Sequence, residues 1–82
     1  RSGVKQAFDR NKILGGLQLA CRKRPVDEEQ LEAIVAAVEQ WAATRGEKEI
    51  RADEIGDRIM HLLRPIDPVA YVRFVSVYRS FT

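Results

Sequence analysis

Apolar residues recur along this chain at the three- and four-residue spacing of a helical face, with breaks at Pro25, Gly46 and Pro65. The spacing predicts four helices. Helix one starts from Asp9 as N-cap and sets Ile13, Leu17, Ala20 and Cys21 on one face until Pro25 ends the pattern. Gly15 and Gly16 lie in its middle. A glycine in a helix interior is about 1 kcal/mol less favourable than alanine, so close packing against a neighbour or a ligand is expected there. Helix two carries the clearest start: Asp27 as N-cap, Gln30 completing a capping box, and Val26 placed to staple onto Leu31. Leu31, Ile34, Val35, Val38, Trp41 and Ala42 form its inner stripe, Glu28, Glu32, Glu39 and Gln40 its solvated face, and Gly46 its stop.

Asp53 is expected to cap helix three, whose Ile55, Ile59, Leu62 and Leu63 face inward before Pro65. Helix four opens on Asp67 as cap with Pro68 at the first helical position, and stays apolar as far as Phe81. Its β-branched and aromatic residues would also suit a strand, but the Asp-Pro start and the length favour a helix. Because it is apolar on nearly every side, a second subunit is expected to cover part of it. Residues 1–7, with a Ser2-Gly3 turn signal and weak strand character, read as half of a β-hairpin. The predicted fold is mainly α, four helices behind a small, truncated N-terminal β-hairpin, in one domain over residues 1–82.

Composition narrows the function classes. A chain of 82 residues supports one core. With 45% hydrophobic and 32% charged residues it is composed like a globular domain. No apolar run is long enough to span a bilayer, and no basic-then-apolar leader is recognisable, so a cytoplasmic protein without membrane contact is expected. Cys21 is the single cysteine and His61 the single histidine, too few ligands for a structural zinc site. Phosphate-loop, nucleophile-elbow and His-Glu-x-x-His motifs do not occur, and no enzyme activity is expected. Cys21 reads as a small core residue and His61 as a partly buried helix residue.

The net charge of +2 hides a division. Residues 1–24 hold seven bases against the single Asp9, and residues 25–57 hold ten acids against three bases. Within the basic segment, Arg1-Ser2-Gly3 followed by Gln6-Ala7-Phe8-Asp9-Arg10-Asn11-Lys12 joins a glycine turn to a helix start. Backbone amides at a helix N-terminus favour phosphate, Lys12 lies in the first turn, and Arg1 offers a forked contact. On spacing alone, a solvated basic edge is the favoured reading.

These residues resemble a known family. Arg1-Ser2-Gly3 and Phe8-Asp9-Arg10-Asn11-Lys12-Ile13 look like the end of the Val-x-Lys-Arg-x-Gly hairpin and the Phe-Asp-x-x-Lys helix start of ATP-cone domains. Lys23-Arg24-Pro25-Val26, Glu54-Ile55-Gly56 and the long Ala70 to Phe81 segment resemble the NrdR branch, transcriptional repressors of ribonucleotide reductase genes. The resemblance spans the whole chain. It implies a four-helix domain with a β-cap that binds ATP or dATP, with Mg2+ as an accompanying ion, and whose nucleotide state sets a homo-oligomeric form able or unable to hold operator DNA. Carried over by position, Arg1 and Lys12 would contact phosphates, Gln6 would meet the adenine, Ala7 and Phe8 would wall the base, and Asp9 would cap helix one beside the site. Lys23, Arg24, Tyr71, Arg73, Tyr78 and Arg79 are candidates for a second nucleotide or for a subunit interface. Arg73 and Arg79, on an apolar helix, are each expected to find an acidic partner or a route to solvent.

Three departures from the family pattern stand out. No Val-x-Lys precedes Arg1, Ala52 stands where a Ser or Thr is usual, and the zinc ribbon with its two Cys-x-x-Cys pairs does not occur in this sequence. Zinc and operator contact would belong to that ribbon. Two rival readings remain open: the regulatory ATP-cone of a ribonucleotide reductase itself, and a structural helical module that binds no nucleotide.

Overall fold

The longest element of the protein is also the one with the strongest local start signal. In the structure, a computed structural model, helix α2 (Glu28–Arg45) begins with both halves of the capping box in place. The Asp27 carboxylate accepts from the Gln30 amide at 2.8 Å, and the Gln30 side chain accepts from the Asp27 amide at 3.0 Å. It ends on Gly46, whose left-handed φ of 69° a glycine adopts without the Cβ clash of other residues. The structure describes residues 5–46 and 49–80, with side-chain surroundings for 8–46 and 49–76. Arg1 and Phe81, and the side chains of Gln6, Ala7, Tyr78 and Arg79, lie outside the described residues.

Helix α1 (Arg10–Ala20) starts from Asp9, helix α3 covers Ala52–Leu63, and helix α4 covers Pro68–Ser80. The last segment is therefore helical, not a strand. Each helix packs on its predecessor, and α4 closes back onto α1. Leu17 of α1, Val35 and Val38 of α2, and Leu63 of α3 are the largest side chains fully withdrawn from water, so three helices meet in one core. Ala70 and Phe74 of α4 complete it. Cys21 is buried in that core, and burial pushes its thiol pKa up, as suits an inert packing residue.

One expectation about the caps is corrected, and the sheet has a strand that the sequence reading did not foresee. Strand β1 (Lys5–Ala7) pairs antiparallel with strand β2 (Glu49–Arg51), in the register Lys5 to Arg51, Gln6 to Ile50 and Ala7 to Glu49. The other arm of the expected hairpin lies outside the described residues. The chain from β2 runs directly into α3, which starts two residues earlier than expected, with Arg51 as N-cap and no side-chain cap bond. Asp53 does not cap the helix because its carboxylate receives the Arg51 guanidinium through two bonds of 3.1 and 2.7 Å.

Candidate functional site

The ladder delivers the chain from β1 through Phe8 and Asp9 into the first turn of α1. Asp9 is extended and its carboxylate accepts from the amides of Asn11 at 3.1 Å and Lys12 at 3.3 Å. Those amides are therefore occupied by the cap. This narrows the sequence reading, in which the amides themselves receive a phosphate; what the first turn presents outward is Lys12.

Two cations of that turn are treated differently by the fold. Arg10 reaches across to α2, where its guanidinium lies 2.8 Å from Glu32 and 3.8 Å from Glu39. The hydrogen bond to Glu32 holds its charged form firmly. Lys12 is exposed, and its ammonium has no ion pair or hydrogen bond with any described residue. Phe8 is half-buried and packs against the core, so its ring is held at the edge of the site by the protein.

One turn further along α1 the surface is bare. A Cβ added at Gly15 would meet nothing within 4 Å among the described residues, and one at Gly16 would stand 3.8 Å from the Phe74 ring, an ordinary contact. The close packing expected around this pair is absent at Gly15 and modest at Gly16.

The second group of candidates gathers at the other end of the helix, about 16 Å away by the rise of eleven helical residues. Arg24 forms a forked pair with Asp67, Nε to Oδ2 at 2.7 Å and a terminal nitrogen to Oδ1 at 3.0 Å. Asp67 is only 4% exposed. Its carboxylate also accepts from the amides of Val69 and Ala70, the role expected of it at the start of α4. The Arg24 bond, with those amides, holds its pKa below the usual carboxylate range.

Arg73 has the route to solvent expected of it: it is exposed, and its guanidinium donates to backbone carbonyls, Arg22 at 2.6 Å and Ala20 at 3.4 Å. A cation belongs there, since the last carbonyls of a helix are its negative end. Lys23, with a left-handed φ of 60°, is exposed. Tyr71 lies on the far side of α4, where Arg64 stands 5.7 Å from its ring centroid. His61 is exposed, not partly buried.

Sequence reasoning missed the Arg24 to Asp67 pair, because 43 residues separate the partners and neither flank carries a local sign of it. Among the described residues no group of three or more His, Cys, Asp or Glu could hold a metal ion, and no helix is long and apolar enough to cross a membrane.

Comparison with known proteins gives a consistent result. Residues 1–82 match the ATP cone domain family. The chain is 54% identical over 81 residues to the transcriptional repressor NrdR of Anaeromyxobacter sp. (strain K), covering 99% of this chain and 52% of that protein. It is likewise 54% identical over 81 residues to the transcriptional repressor NrdR of Myxococcus xanthus (strain DK1622), covering 99% of this chain and 48% of the relative. With the transcriptional repressor NrdR of Heliobacterium modesticaldum it shares 50% identity over 82 residues, all of this chain and 54% of the relative. The chain spans about half the length of these relatives, whose role as repressors is regulatory and not enzymatic.

Proposed function

The chain belongs to the ATP-cone family, and from that premise we propose that it is the adenine-nucleotide sensor of a bacterial transcriptional repressor acting on ribonucleotide reductase genes. The observation that carries this reading is Lys12, an exposed ammonium in the first turn of α1 without a partner among the described residues, beside an arginine that is fully engaged. In this reading Lys12 and Arg1 hold the phosphates of ATP or dATP with Mg2+ alongside them, Gln6 reads the adenine, and Ala7 and Phe8 wall the base. Asp9 fixes the turn that aims Lys12. Residues 1–82 act as one domain.

Nucleotide occupancy is then read out as self-association through α4, whose Val69 and Val72 are exposed. In this reading operator DNA is held by a zinc ribbon outside this sequence, as the family resemblance implies. The role of these relatives as transcriptional repressors supports a repressor over the regulatory domain of an enzyme. Isothermal titration of the chain with ATP and with dATP tests the proposal. Saturable binding of either, with GTP much weaker, is the expected result. A flat titration with both adenine nucleotides would overturn it in favour of a structural module.

A further inference from the structure

An open cleft of about 1050 Å³ runs between α3 and α4, on a face that the Lys12 site does not use. Its two walls differ in chemistry. The α4 side is apolar, with Pro68, Tyr71, Val72 and Val75, and Val72 is 60% exposed, the most exposed of the large hydrophobic side chains described. The α3 side contributes Met60 and, on one stripe, Asp57, His61 and Arg64. Such an apolar face, exposed and rimmed by charge, is the form of an association surface.

The order of charges along the α3 stripe says what fits it. Asp57 and Arg64 are seven residues apart, two helical turns or about 10 Å, with the acid toward the helix start and the base at its end. Turned by a twofold rotation, the same stripe runs base to acid. The surface is therefore its own electrostatic complement, which is the requirement for an isologous dimer. We propose that a second copy of this chain docks in the α3–α4 cleft about a twofold axis, with Asp57 facing Arg64 of the partner subunit, and Val72 and Val75 buried against the partner's α4. Arg64 is free to turn toward it, since its described contact is the exposed cation-ring approach to Tyr71. This rests on the reading of α4 as an association surface and assigns its geometry and its mode of pairing.

Sedimentation velocity on charge-reversed chains tests it, with and without ATP. Asp57→Arg and Arg64→Asp change exposed residues, and circular dichroism checks that each variant keeps its helices. Each single reversal sets like charges opposite one another twice per dimer, so its dissociation constant should rise at least tenfold. The double variant should recover association, and so should an equimolar mixture of the two single variants, in which every contact is again acid to base. Single variants that associate like the wild type would remove this cleft from the interface while leaving association through another surface. Single variants that dissociate but do not recover on mixing would overturn the twofold pairing. A wild-type chain that stays monomeric at every nucleotide level would overturn the association reading itself, and nucleotide titration of the same samples keeps that result separate from the Lys12 site.

Discussion

The two ends of α1 are built to opposite ends. At the first turn the helix is capped by its own Asp9 and leaves Lys12 exposed and unpaired among the described residues. At the last turn it is held from outside: Arg73 of α4 covers its carbonyls, and Arg24 just beyond is locked to the buried start of α4. Both ends are cationic, so charge alone does not separate a ligand contact from a structural one. Engagement does. A cation already paired by the fold is a poorer candidate for a ligand than one left exposed, so we read Arg24 and Arg73 as part of the frame and keep Lys12 in the proposed site.

The comparison can be broken by substitution, and the latched end should respond most in stability. Arg24→Ala leaves the buried Asp67 carboxylate without its counter-charge and should lower the melting temperature by about 10 °C at neutral pH, read by circular dichroism. The pH dependence has a definite sign. Asp67 has a folded pKa below its unfolded one, so its contribution is complete above the ordinary carboxylate range and is lost as pH falls through the folded value. The gap in melting temperature between wild type and Arg24→Ala should therefore narrow in acid; a gap that is constant from neutral to strongly acid pH would mean that the pair contributes little.

Lys12→Ala should do the reverse, leaving the melting temperature unchanged and weakening nucleotide binding by about ten- to a hundredfold, since a charge-assisted contact contributes about 1.5 to 3 kcal/mol. Unaltered affinity with an intact fold would take Lys12 out of the site. The smallest effect is expected between the two ends. Because nothing described stands near a Cβ at Gly15, Gly15→Ala should stabilise the domain by about 0.5 to 1 kcal/mol, measured by urea unfolding.

How much of this was legible in the sequence depended on the range of the interaction. The α2 start was legible because Asp27 and Gln30 satisfy one another within a single turn. Lys12 was legible as a position, because helix starts follow from caps, but that it has no partner among the described residues was not, since Arg10 and Lys12 look alike until α2 is placed beside them. Strand β2 escaped notice because three residues carry no periodicity; Ile50 is buried in the core, on a strand whose partner lies far away in the chain. The start of α3 was misread through competition: Asp53 is a good cap in isolation, and Arg51 takes its carboxylate. The α3–α4 cleft depends on how two helices lie together, which no local pattern encodes.

Trp41 is the single tryptophan of the chain, half-buried on α2 with the guanidinium carbons of Arg45 and Arg58 at 5.5 and 5.3 Å from its ring centroid. Arg45 is in turn anchored to Glu54 at 2.7 Å, so the indole is clasped where α2 meets α3. The protein thus carries a built-in fluorophore that watches one helix junction. Its emission reports on the parting of α2 from α3, so light from this ring follows the domain as it comes apart.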